Sequence, residues 1–262
     1  MIGELAAMGV IVAVGSSKGG VGKSAACQIL IPNMIQRGWR VAVVDADQNG
    51  TFSRWHSDAY EGPPFTCLHE SHEVRAVDAA QRLLDEGVDV VYIDTAGFKN
   101  LTAATAMAAA DLVLIPCMSD RGSVMEAIAT YEQVQGLARA SRRKIPAFAL
   151  CTRWRGRGLA ERAALDGLKS NNVPVLEATL SDLADIAKLT HSGRVPMTGK
   201  AAMEADRITD ELVALGILPP MPKPRGAKPA TDDRLASVHF GTSTTSRDKV
   251  AKPTSLKRRT AA

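Results

Sequence analysis

The sequence predicts an α/β fold: a doubly wound, mostly parallel sheet with helices on both faces. Three observations carry that prediction. Short β-branched runs alternate with helix-length stretches along the chain. The first of these runs is apolar at consecutive positions, as a strand covered on both faces must be. The 262-residue chain is 45% apolar and 23% charged, a globular balance that excludes wholesale disorder, a collagen repeat and a disulfide scaffold.

Val10–Gly15 (VIVAVG) is the first strand. Ser24–Arg37 follows as a helix closing at Gly38, a residue suited to the left-handed position past a helix end. Arg40–Asp45 (RVAVVD) is the second strand, Val74–Glu86 an amphipathic helix and Val88–Asp94 (VDVVYID) the third strand. Ala-rich Leu101–Ala110 is helical and leads into a fourth strand, Asp111–Pro116. Ser123–Ser141 reads as a helix and Ala147–Thr152 as a strand. Glu161–Asn171 and Ser181–His191 are helices with a short strand, Pro174–Leu176, between them, and Thr198–Leu215 is the last helix.

The remainder differs in kind. Residues 219–262 hold six of the thirteen prolines, many Ser and Thr, and ten Lys or Arg against three Asp. Such a segment cannot bury enough to offset its ordering entropy, so disorder is expected there. Of the chain's net charge of +4, the tail supplies +7 and residues 1–218 carry −3. A basic tail on a mildly acidic body points to a polyanionic partner for the tail. The four cysteines (Cys27, Cys67, Cys117, Cys151) form no C-x-x-C pair, which argues for reduced thiols and against a zinc ribbon. No secretion signal or membrane-length apolar run is visible, so a cytoplasmic protein without membrane insertion is expected. Aromatics at 4% argue against a platform for stacking single-stranded bases.

The first strand runs straight into Ser16-Ser17-Lys18-Gly19-Gly20-Val21-Gly22-Lys23-Ser24 and then a helix. Strand, Gly-rich turn and helix in that order are the context of a phosphate-binding loop. Glycines let successive backbone N–H groups point at phosphate oxygens, and the helix dipole adds to that field. Lys23 can reach the β- and γ-phosphates, and the Ser24 hydroxyl can coordinate Mg²⁺.

The usual loop pattern has Gly where Ser17 stands, with Lys18 beside it. K-G-G-V-G-K-S resembles the deviant phosphate loop of the ParA/MinD ATPase superfamily, whose signature is that extra lysine. The resemblance extends to V-V-D-A-D-Q-N, where the usual proline is replaced by Gln48, and to V-V-Y-I-D-T-A-G; it covers about residues 10–215. It implies ATP and Mg²⁺ as ligands. Lys18, Gly19, Gly20, Val21, Gly22, Lys23, Ser24 and Ala25 would hold the phosphates, with Lys18 reaching those of a second subunit. Asp45 would help form the magnesium shell, Asp47 orient the attacking water, and Asp94 reach Mg²⁺ through a water, ahead of a γ-phosphate-sensing loop at Thr95–Gly97. Thr152 and Arg153, after the late strand, are the adenine candidates.

By resemblance the chain is a slow, partner-stimulated ATP hydrolase that dimerises with ATP and binds DNA non-specifically, released by a centromere-binding adaptor. D-A-D-Q-N-G-T-F-S-R-W, L-I-P-C-M-S-D and A-L-C-T-R-W look like the small plasmid-partition ATPases. They look equally like the agrobacterial ATPase that promotes T-DNA transfer, for which the partner would be a relaxosome component at a secretion channel. A metabolic ligase or reductase on the same loop ranks lower, because Cys117 lies in no cluster motif. So does membrane binding, since residues 242–262 show no amphipathic apolar face.

Other features have plainer readings. Cys67, His69 and His72 lie close enough to suggest a metal, but no second ligand cluster accompanies them and an exposed polar loop is expected. Arg153-Trp154-Arg155-Gly156-Arg157-Gly158 is either a phosphate contact or a solvated connection. Lys169, Lys188, Arg194, Lys200 and Arg207 are candidates for a DNA surface once two subunits pair.

Overall fold

The computed structural model describes residues 9–96, 101–156, 158–182 and 184–222. Within them lies a six-stranded sheet of order β3-β2-β4-β1-β5-β6, every neighbouring pair parallel. In chain order the elements are β1 (Val10–Val14), α1 (Lys23–Gln36), β2 (Val41–Asp45), α2 (Thr51–Asp58), β3 (Thr66–His69), α3 (Glu73–Asp85) and β4 (Val90–Asp94). Then come α4 (Leu101–Ala109), β5 (Leu112–Cys117), α5 (Arg121–Ser141), β6 (Ala147–Cys151), α6 (Leu159–Ser170), α7 (Ala184–Ser192) and α8 (Gly199–Ala214).

Each inner strand sends alternate residues to opposite faces, and both faces are dry. Ile11, Ala13, Val91 and Ile93 pack under α3, α4, α5 and α6, while Val12, Val14, Val90 and Tyr92 pack under α1, α2, α7 and α8. That double burial is why the strands read as unbroken apolar runs. α1 lies over the centre of its face and is buried continuously from Ala26 to Met34, Pro32 included.

Two elements were not expected. α2 follows directly on the D-A-D segment, and β3 forms the edge of the sheet beside β2. The polar-loop expectation for Cys67–His72 is therefore corrected: Cys67 and Leu68 are half-buried strand residues in register with Val43 and Val44. A four-residue strand flanked by His and Glu has too little apolar pattern to stand out. Conversely, Pro174–Leu176 is not a full strand; only Val175 bridges, to Ala149 of β6. No helix among the described residues is long and apolar enough to cross a membrane. All four cysteines are free thiols, three of them buried. Of the tail beginning at Pro219, residues 223–262 lie outside the described residues.

Candidate active site

The chemistry-bearing side chains gather at the carboxyl end of the sheet. β1 stops at Val14, and residues 15–22 turn over its end before α1 begins. Gly20 (φ 73°) and Gly22 (φ 94°) occupy the left-handed region that other residues avoid. Gly22 also caps α1, and no side chain covers the first N–H groups of that helix. Backbone donors and the positive end of the helix dipole thus face an incoming anion together. Lys23 folds back along the turn, donating to the carbonyls of Ser16 (3.2 Å) and Lys18 (3.1 Å). Burial pulls its pKa below the ordinary lysine value, against the opposing pull of Asp94 and Asp47.

Sheet register sets the acids. Asp45 ends β2 and Asp94 ends β4, directly opposite one another, and Asp94 also aligns with Val14 of β1. Their carboxylates are used differently. Asp45 is fully buried: Oδ1 accepts the Asp47 N–H at 3.1 Å, and Oδ2 accepts the N–H (2.8 Å) and hydroxyl (2.7 Å) of Ser53 in α2. Asp94 is 2% exposed, takes a hydrogen bond from Ser24, and leaves Oδ1 with no partner. Burial raises its pKa to about 7; the Ser24 bond and Lys23 oppose the rise, and Asp45 and Asp47 add to it. Asp47 is half-buried at the mouth, with its carbonyl held by His69 Nε2 (2.9 Å) and Gly50 N–H (2.9 Å) and its Oδ1 by Asn49.

An orphaned buried carboxylate oxygen beside a serine hydroxyl fits a magnesium ion, which takes hard oxygen ligands and prefers one or two carboxylates with phosphate and water. Among the described residues no set of three His, Cys, Asp or Glu is placed to hold a metal.

Lys18 points away from its own loop. Its ammonium meets Asp120 at 2.6 Å and donates to the Ser123 hydroxyl at 3.0 Å. Asp120 caps α5 by accepting the Ser123 N–H at 3.0 Å, and the hydrogen bond from Lys18 brings its pKa down to about 2. Ser17 beside it donates to Glu126, further along α5. A Cβ on Gly122 would stand 3.2 Å from Asp120 Oδ1 and 3.3 Å from Lys18 Nζ, so the bare glycine gives the pair its room.

A cavity of about 310 Å³ opens beside the start of α1. Gly22, Ala25, Thr152 and Arg153 line one side, Leu180 and Ile186 another. Thr152 is buried and donates to the Val21 carbonyl at 2.7 Å, tying the end of β6 to the phosphate loop. Buried Glu204 of α8 holds Ser181 by its N–H (2.8 Å) and hydroxyl (2.5 Å), and so fixes the wall that α7 continues.

The VirC1 protein family profile matches residues 8–215, which span this whole sheet and its helices. The chain belongs to the VirC1 family. It is 30% identical to the virC1 protein of Rhizobium rhizogenes over 189 residues, 70% of this chain and 81% of that one. It is 32% identical to a ParA protein of Rhizobium radiobacter over 106 residues, 40% of this chain and 47% of the relative. The septum site-determining protein MinD of Pyrococcus horikoshii, complexed with Mg-ADP, shares the fold at a TM-score of 0.60 and 17% identity, covering 80% of this chain and 98% of that one. The ParA/MinD likeness carried by the phosphate loop is thus that of a ParA-type chain related to VirC1.

In this VirC1-family chain the loop residues Lys18–Ala25 and the acids Asp45, Asp47 and Asp94 come together at one mouth, with Thr152 and Arg153 on its flank. Thr95 is buried and donates to the Val14 carbonyl at 2.9 Å; Gly97 lies outside the described residues. In the basic loop, Trp154 is a core residue (8% exposed), Arg155 pairs with Asp182 at 2.6 Å, and Arg157 lies outside the described residues. Sequence reasoning missed Ser53, His69, Asp120, Ser123 and the 180–191 wall. Asp120 had a local signal, an acid just before a helix, but its pairing with Lys18 across 102 residues had none.

Proposed function

We propose that this chain hydrolyses ATP and uses the cycle to switch between a single state and a face-to-face dimer that acts on DNA during its transfer between cells. The observation that carries the reading is the mouth itself: a lysine-bearing phosphate loop, an orphaned buried Asp94 oxygen and an accessible Asp47 around the end of β1.

The triphosphate lies along residues 18–25, its charge met by the loop N–H groups and Lys23. The base enters the cavity beside Thr152 and Arg153, where apolar Leu180 and Ile186 offer flat contact. Ser24, and Asp94 through a water, would hold Mg²⁺, which would supply charge neutralisation at the phosphates. Asp45, expected in the magnesium shell, commits its oxygens to the Asp47 N–H and to Ser53, and its role here is to fix the Asp47 segment and the first turn of α2. Asp47 then orients a water for in-line attack on the γ-phosphorus; the bond to the β,γ-bridging oxygen breaks and ADP and phosphate leave. Lys18 reaches the partner subunit's phosphates, delivering a cation in trans as an arginine finger does.

MinD in its Mg-ADP complex supports the ligand assignment. The VirC1 family match over residues 8–215, against 106 residues for the ParA relative, supports the transfer role over partition, with a relaxosome component as partner. The test is Asp47→Ala in analytical ultracentrifugation with ATP and Mg²⁺. A persistent dimer with turnover lost is expected. A particle that stays single, or unchanged turnover, defeats the reading.

A further inference from the structure

A dense set of cations lies at the opposite end of the sheet from the phosphate loop. Arg139 is in the last turn of α5, Arg142 caps that helix, and Arg143 and Lys144 follow before β6 begins. The fold uses one of the four. Arg143 donates to the Ala108 and Ala109 carbonyls at the end of α4 and pairs with Asp111 at 3.2 Å. Cations near a helix end ordinarily serve its carbonyls, but backbone does that here: the Arg142 N–H reaches the Arg139 carbonyl and the Arg143 N–H that of Ala138. Arg142 moreover holds a left-handed cap (φ 54°) where glycine is the easier residue. Arg139, Arg142 and Lys144 are exposed, with no ion-pair or side-chain hydrogen-bond partner among the described residues. They border a groove of about 500 Å³ with Tyr131, Gln135 and Phe148.

Of the five candidate bases toward the C-terminal end of the body, Lys169 and Arg207 are exposed but stand singly on separate helices, α6 and α8. The other three face acids. Lys188 faces Asp185 (3.8 Å), Arg194 faces Glu61 (3.0 Å) and Lys200 faces Glu204 (3.6 Å). Because residues 1–218 carry −3 overall, a polyanion can be held only where cations stand uncompensated.

We propose that the Arg139–Arg142–Lys144 ridge binds the phosphate backbone of duplex DNA, and that it is present on every protomer whatever nucleotide is bound. A protein partner fits it less well, since the ridge offers uncompensated charge and no exposed large apolar side chain to form a desolvated centre. The exposed large apolar side chains lie elsewhere: Met125 near the opposite end of α5, Leu159 at the start of α6 and Met197 before α8. α5 begins beside Lys18 and runs 21 residues to the ridge, about 30 Å at 1.5 Å per residue. Nucleotide therefore does not build this surface; it sets how many such surfaces one particle carries. In the face-to-face dimer, a reading on which this step rests, the two ridges point away from each other and one particle holds two duplexes.

The test compares full-length wild type with R139Q/R142Q/K144Q on a random 30-base-pair duplex between 50 and 200 mM salt, without nucleotide. Three phosphate contacts give a log–log salt slope of roughly −2.7, or about 40-fold in affinity over that range. The variant is expected to lose that component and keep wild-type ATP turnover; the tail's bases contribute equally to both proteins. Wild-type affinity and slope in the variant overturn the proposal. So does DNA binding intact with only stimulation by an adaptor protein lost, which assigns the ridge to a protein. In a second arm, bead-bound duplex should capture a free labelled duplex through wild type loaded with a non-hydrolysable ATP analogue, and not through the variant. A verified dimer that captures no second duplex overturns the bridging step. A particle that stays single withdraws the dimer reading instead and leaves the salt slope to decide the ridge.

Discussion

On the proposed cross-subunit role of Lys18, its ammonium must leave Asp120 to meet a neighbouring subunit's phosphate, so the ion pair seen here would compete with dimerisation. Asp120→Asn isolates that competition. Asparagine caps a helix as well as aspartate does, so the hydrogen bond to the Ser123 N–H survives and α5 keeps its start. The charge is lost, together with the oxygen that accepts the Ser123 hydroxyl, which can turn to accept from the amide instead. With the two side chains 33% and 45% exposed, the pair is surface-like and worth about 0.2–1 kcal/mol. Closing a dimer breaks two such pairs, so the substitution should favour it by about 0.4–2 kcal/mol, roughly 2–30-fold in dissociation constant. Because Asp120 is held down to about 2, protonation does not open the latch anywhere near neutral pH; phosphate must displace it. Sedimentation velocity over a concentration series, with a non-hydrolysable ATP analogue and Mg²⁺, measures the shift. Adding Lys18→Gln to the same chain should erase the gain. A dimer that is unchanged or weaker in Asp120→Asn refutes the idea that Lys18 is being restrained.

Other consequences are simpler. Ser53→Ala removes a hydroxyl that donates to buried Asp45; a hydrogen bond to a charged group is worth about 1.5–3 kcal/mol, so thermal unfolding should begin several degrees lower and turnover should fall as Asp47 loosens. An unchanged melting curve would show that Asp45 needs no such support. Asp94, raised to about 7 by burial, binds its proton more tightly in the folded chain than in the unfolded one, where its pKa is about 4. Its contribution to stability is complete below about pH 4 and disappears as pH rises through 7. Melting temperature in EDTA should therefore fall across that window in wild type and less steeply in Asp94→Asn; parallel curves would remove Asp94 as the cause. Mg²⁺-dependent hydrolysis should rise over the same range, since the cation needs the carboxylate form.

The centre of the fold was legible because burial on both faces writes itself as uninterrupted apolar strands, and β1, β2, β4, β5 and β6 all carry that mark. The phosphate loop was legible because its chemistry is local: glycines for φ, one lysine, one hydroxyl. β3 and α2 were not, for a shared reason. β3 is a short edge strand with one open side, and α2 is a two-turn helix whose core residues, Phe52 and Trp55, are only three apart. Neither is long enough to establish a period. Lys18 with Asp120, and Asp45 with Ser53, lie beyond sequence reasoning in different ways: the first partner is distant along the chain, and the second belongs to the helix that was overlooked.

That overlooked helix links two parts of the site that sequence motifs treat as separate. α2 gives Ser53 to Asp45, and through the Trp55 indole N–H it holds the Leu189 carbonyl of α7 at 3.0 Å. α7 in turn forms a wall of the cavity beside Thr152. One short helix therefore touches both the loop that carries Asp47 and the wall that a bound base would meet. Its two attachments differ in what they tolerate. Asp45 is locked in the sheet by register with Asp94, so the Ser53 end is fixed. The Trp55 end, packed against Phe52 and Tyr60, bonds one carbonyl of a nine-residue helix whose single buried side chain is Leu189.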